Sequence, residues 1–94
     1  MALFEQHHYG KPISKLLSDY LRKYATMLDQ ASAAVHGGVS ASTVREVVLM
    51  NTPITQVNSK AIIGLMRIAI QNCMVEAKEA RDAKRYFERN LKAS

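Results

Sequence analysis

From Ile13 onward the apolar residues recur in alternating steps of four and three: Ile13, Leu17, Tyr20, Tyr24, Met27, Ala31 and Ala34. Leu16, Leu21, Leu28 and Val35 widen this stripe, while Lys15, Asp19, Arg22, Lys23 and Asp29 fall mostly outside it. The spacing predicts one amphipathic helix over 12–36, about 24 residues and roughly 36 Å long at 1.5 Å per residue. Pro12 suits its first turn. Gly37-Gly38 stops it, because a helix C-cap favours a residue at positive φ. Residues 1–11 read as an irregular segment before it.

A short helix is expected over 43–51. Thr43 followed three residues later by Glu46 fits a capping box, Ser40 is an earlier cap candidate, and Val44, Val47 and Val48 give one apolar face. The run from Val44 to Met50 is rich in β-branched residues, so a strand competes. A lone strand would have no partner for its backbone hydrogen bonds, which favours helix. Asn51-Thr52-Pro53 then breaks the chain. Thr52 can cap the next helix with Pro53 at its first position, and Thr55 is a second cap candidate.

From 53 to about 91 the pattern is again helical. Ala61, Ile62, Ile63, Leu65, Met66, Ile68, Ala69 and Ile70 make the first half apolar nearly all round, which demands burial on several sides. The second half narrows to Cys73, Ala77, Ala80, Ala83, Phe87 and Leu91, opposite Lys78, Asp82, Lys84, Glu88 and Lys92. Gly64 marks a close contact or a bend. A helix this long exceeds a compact domain of the chain's size, so it either breaks near Asn72 or projects and finds a partner.

The expected fold is all-α: a single small helical domain over 1–94, with two long amphipathic helices and one short one. Its helical bundle is completed by self-association. A chain of 94 residues leaves much of its surface exposed on folding. The interface residues expected from the third helix are Ile62, Leu65, Met66, Ala69, Cys73, Ala80 and Phe87.

Composition narrows the class. Hydrophobic residues make up 48%, too many for a disordered chain, and one cysteine excludes a disulfide scaffold or a cysteine-based zinc site. Thirteen Lys and Arg against eight Asp and Glu give a net charge of +5, which favours an anionic partner. The charge is spread along the chain with no basic arm. The start shows no signal-peptide pattern, and the most apolar stretch, Ala61–Ile70, is interrupted by Arg67 and is too short to span a membrane. The expected setting is cytoplasmic, with no membrane partner, and the lone Cys73 agrees with a reducing compartment.

Candidate chemistry is sparse. His7 and His8 are adjacent and diverge, His36 is isolated at a helix end, and no metal-ligand spacing occurs, so no metal or cofactor is expected. His36 suits interaction with a helix dipole. Gly37-Gly38 lacks the Lys-Ser/Thr of a phosphate loop, the acids of 76–88 lie among bases, and Cys73 has no base nearby in sequence. No enzyme activity is expected. The tyrosines lack the basic-aromatic interleaving of RNA-stacking surfaces; Tyr20 and Tyr24 read as packing residues.

One segment carries more. Residues 30–49 read Gln-Ala-Ser-Ala-Ala-Val-His-Gly-Gly-Val-Ser-Ala-Ser-Thr-Val-Arg-Glu-Val-Val-Leu. This resembles the helix-turn-helix of the lactose-repressor family, with its Gly-Val-Ser-x-x-Thr-Val core. The resemblance implies that Ala34 takes the small position where two helices touch, Gly38 the turn, and Val39, Val44 and Val47 the buried positions. It implies that Ser40, Ala41, Ser42 and Arg45 face the major groove of duplex DNA, with Ser40 capping the recognition helix. The expected function is therefore a small non-enzymatic binding protein, a dimeric DNA-binding regulator. The alternative is a protein–protein interaction protein (adaptor, inhibitor, chaperone or assembly subunit) that acts through apolar helix faces. A regulator needs cations beside Ser40–Ser42; an interaction protein needs an exposed apolar patch, expected around Ile62–Ile70.

Overall fold

The computed structural model describes residues 9–93. Four helices follow in order: α1 Lys15–Tyr24, α2 Met27–Gly37, α3 Ala41–Val48 and α4 Ser59–Ala93. Among the described residues there is no strand, and the β-branched run after Val44 is helical. The expected irregular start, 1–11, lies mostly outside the described residues.

The helix expected over 12–36 is two helices. Ser14, not Pro12, starts the first, its hydroxyl accepting from Leu17 N at 3.1 Å. The break falls at Ala25-Thr26, where Ala25 is extended. Thr26 Oγ1 accepts from Asp29 N at 3.1 Å, and Asp29 Oδ2 accepts from Thr26 N at 2.9 Å. This reciprocal pair satisfies donors that a helix start leaves open, so a new helix begins despite the continuous apolar spacing. Asn72 of α4 fastens the break, donating to Tyr24 O at 2.8 Å and to Asp29 Oδ2 at 3.2 Å. The new direction of α2 turns Met27, Leu28 and Val35 outward, and Leu16 and Tyr20 on α1 are exposed as well. Tyr20 is thus a surface residue rather than the packing residue its spacing suggested.

Ser40 caps α3, which begins two residues before the expected box. Thr43 lies inside the helix, and Glu46 accepts from Asn51 Nδ2 at 3.0 Å instead of reaching back to Thr43. The chain leaves α3 through Met50 at φ 66°. The third helix starts at Ser59, not at Pro53. Thr55 and Asn58 organise its start: Thr55 Oγ1 accepts from Asn58 N, and Asn58 Oδ1 accepts from Thr55 N. It then runs unbroken past Asn72 for 35 residues.

The core is built by α2 lying against both α3 and α4, with α1 closing over α4 and the end of α3. Leu21, Val44, Val47, Val48, Ile54, Ile62 and Leu65 are almost wholly buried there. Ser18 is buried too, and its hydroxyl donates to Val48 O at 2.6 Å, tying α1 to the end of α3. Gly37 lets α2 touch α4, because a Cβ at that position would stand 2.5 Å from the Cβ of Ala61. From Met74 to Lys92, α4 is exposed throughout. This projection gives the molecule a length of 58 Å against 24 Å and 23 Å, and a radius of gyration of 17.1 Å. A compact chain of this size would have about 13 Å.

Candidate nucleic-acid interface

Helices α2 and α3 are joined by three residues, Gly38-Val39-Ser40. Gly38 adopts φ 74° and ψ 27°, the left-handed conformation that costs a residue with a Cβ about 1–2 kcal/mol. Gly38 N donates to Val35 O and Val39 N to Ala34 O, which closes the last carbonyls of α2. The chain thereby leaves α2 at a fixed angle. Ser40 Oγ then accepts from Thr43 N at 3.1 Å and caps α3. Its hydroxyl also lies 2.8 Å from Thr43 Oγ1 and 3.2 Å from Ser42 Oγ.

Beneath this corner, Ala34, Val44 and Val47 are buried and Val39 is half-buried. A small residue at Ala34 allows the two helices to approach. Above it, Ser40, Ala41, Ser42 and Arg45 are all exposed on one side of α3. Arg45 has no ion-pair partner among the described residues. Met27 and Gln30 of α2 join Ala41, Ser42 and Arg45 around a shallow depression of about 240 Å³. Gln30 opens the resembling segment, so its place was available from sequence; Met27 became visible only once α2 was a separate helix.

The expected interface residues on α4 are divided by the fold. Ile62 and Leu65 are wholly buried and Ala69 nearly so, and all three belong to the chain's own core. Ile62 and Leu65 are covered by the chain's own helices, whereas Ala69 lies on the floor of a groove between α1 and α4. Met66 and Cys73 are half-buried, and Ala80 and Phe87 are exposed. The apolar patch expected around Ile62–Ile70 is displaced along the helix. It begins as a groove of about 550 Å³ between α1 and α4, lined by Leu17, Tyr20, Tyr24, Met66, Ile70 and Cys73 among others. It continues past Ala77 and Ala80 to the exposed Phe87 and Leu91.

Among the described residues the ion pairs are local, each joining residues three or four apart on one helix. Asp19 bonds Lys15 at 2.9 Å and Arg22 at 2.7 Å, and these hydrogen bonds hold its carboxyl below the ordinary range. Asp29 is also held low, chiefly by the Thr26 backbone N–H that its carboxylate accepts. His36 Nδ1 lies 2.9 Å from Ser32 O on the last turn of α2. Among the described residues no three His, Cys, Asp or Glu side chains gather as a metal site would require, and no helix is long and apolar enough to cross a membrane.

No family model matches the chain, and neither a curated protein nor a solved structure matches it.

Proposed function

We propose that this is a small, non-enzymatic DNA-binding regulator that acts in the cytoplasm as a dimer and reads duplex DNA with α3. One observation carries the reading: a three-residue turn, fixed by left-handed Gly38, presents Ser40, Ala41, Ser42 and Arg45 on the open side of a helix whose other side is core. Two helices joined by so short a turn form the corner that sets a recognition helix into the major groove. The groove, about 12 Å wide, admits an α-helix. Arg45 supplies a fork of donors suited to guanine O6 and N7, and Ser42 supplies a hydroxyl that bonds either base type. Gln30, beside them, suits adenine or a phosphate. The net charge of +5 favours approach to the polyanion.

Arg45→Ala tests this reading. The side chain is exposed, so the melting temperature should hold. Affinity for the preferred duplex, isolated by selection from a random-sequence pool, should fall by about 1–3 kcal/mol with relaxed sequence preference. Wild-type affinity should also fall steeply with salt as counterions are released. Absence of duplex binding at low salt removes the reading.

A second reading, a protein–protein interaction protein, is favoured by the apolar groove between α1 and α4 and by the exposed stripe beyond it. It predicts that Arg45→Ala is silent and that substitutions along the stripe abolish partner capture.

A further inference from the structure

From the groove into the projecting half of α4, apolar positions repeat at steps of four and three: Met66, Ile70, Cys73, Ala77, Ala80, then Phe87 and Leu91, with Lys84 interposed. This is the 3.5-residue period of a helix that packs along another helix. We infer that a second copy of this chain covers the stripe in an antiparallel pairing of α4 with α4. Each copy then inserts Phe87 and Leu91 into the other's groove between α1 and α4. The inference deepens the dimeric part of the reading above and does not depend on DNA.

Register and charge select this occupant. Setting Ile70 against Phe87 of the second copy sets Met66 against Leu91, and Ala77 against Ala80. The small residues fall at the centre, where two backbones can approach closely. The large ones fall at both ends, where the groove of about 550 Å³ stands open. Lys84, already paired with Glu88 of its own helix at 2.6 Å, then faces Cys73 of the second copy, one turn from Glu76, and Arg67 falls opposite Asn90 beside Glu88. The charges that meet across the pairing are of opposite sign and occur twice by symmetry. A parallel pairing would instead stack Lys84 on Lys84. It would also leave Phe87 about 25 Å along the helix from the groove.

The exposed area is of the right size. Tyr20, Ile70, Met74, Phe87 and Leu91 are each more than half exposed. With large side chains at about 150–250 Å² each, the stripe presents on the order of 600 Å² per chain. Full coverage in two copies would bury at most about 1,200 Å², the size at which specific stable interfaces begin. The pairing also supports a stretch of helix that is otherwise held by local pairs such as Lys78–Asp82 at 3.1 Å, since most helical stability in proteins comes from packing of an amphipathic face.

Sedimentation equilibrium without DNA should show a dimer at tens of micromolar. Phe87→Asp should convert it to a monomer that loses some helical circular dichroism from the projecting half of α4 but keeps an unchanged melting transition for the buried half. Orientation is read with diamide, which takes two electrons and two protons from a pair of thiols and is itself reduced to the hydrazine. Native protein, carrying only Cys73, should stay uncross-linked. Lys84→Cys should give a covalent dimer, and the same substitution combined with Cys73→Ala should not. A wild-type monomer throughout the concentration range, or ready cross-linking of native protein through Cys73, overturns the pairing. A dimer that binds no duplex removes the DNA reading alone; duplex binding by a persistent monomer removes the pairing alone.

Discussion

The two halves of α4 share one helical period and meet opposite fates. Ala61, Ile62 and Leu65 are wholly buried, whereas Tyr86, Phe87 and Leu91 are more than half exposed. The first half is apolar on nearly every side, so α1, α2 and α3 can all pack on it. The second half is apolar along one stripe and charged on the other side. A single neighbouring helix would satisfy it. The width of the apolar arc, more than its period, decides whether a helix is enclosed by its own chain or left to a partner.

The contrast is sharpest in a pair of truncations. Leu65→Ala removes a fully enclosed side chain and should cost about 2–5 kcal/mol, including the cavity left behind. Its urea midpoint should fall accordingly. Phe87→Ala, measured at a concentration too low for association, should leave that midpoint within about 0.5 kcal/mol of wild type. Equal losses in the two variants would show that the halves do not differ as argued.

Glycine supplies the next test, on the buried half. Gly37→Ala drives a methyl into Ala61, 2.5 Å away, with the α4 backbone directly behind it. It should destabilise by about 1–3 kcal/mol, the usual range for overpacking. Gly64→Ala, three residues further along α4, meets nothing within 4 Å. There the same substitution should stabilise by about 0.5–1 kcal/mol through helix propensity and chain entropy. Thermal melts of both variants should move in opposite directions.

Helical class was legible because burial in a small chain leaves a strong 3.6-residue signature. Gly38 as the turn and Ser40 as the cap were legible for a local reason: left-handed φ and N-capping each restrict residue type. The break after Tyr24 was not. Apolar spacing continues unbroken through Met27 and Ala31, and the competing signal, Thr26 with Asp29, lacks the Glu or Gln of the commoner box. That cap starts α2, and Asn72, forty-eight residues away, fastens the break by donating to Tyr24 O. Ile62 and Leu65 were misassigned to an interface because an all-round apolar helix states only that it must be covered. It does not say whether the cover comes from the same chain. The exposed face of Ser40, Ala41, Ser42 and Arg45 followed from the helix-turn-helix resemblance. The participation of Met27 needed the α2 start.

A further effect lies at the boundary between the two halves, where Asn72 hydrogen-bonds the end of α1 and the start of α2. Asn72 Nδ2 reaches Asp29 Oδ2 at 3.2 Å, and the same carboxylate oxygen accepts from Thr26 N. Thr26→Ala removes the reciprocal half of this cap and should cost about 1 kcal/mol. The acidity of Asp29 gives an independent readout. The Thr26 backbone N–H, then the Thr26 hydroxyl and Asn72, favour its charged form and outweigh partial desolvation, so its pKa lies below the ordinary range. A carboxyl whose pKa is depressed by folding stabilises the fold fully above the unfolded value, about 3.9, and that contribution is lost as pH falls through the lower folded value. Melting temperature should therefore decline as pH is lowered from 5 toward 2, and Asp29→Ala should flatten part of that decline while lowering the plateau at pH 6. A wild-type curve that rises on acidification, or an Asp29→Ala curve parallel to it, would show that Asp29 does not fasten the point where α4 leaves the core.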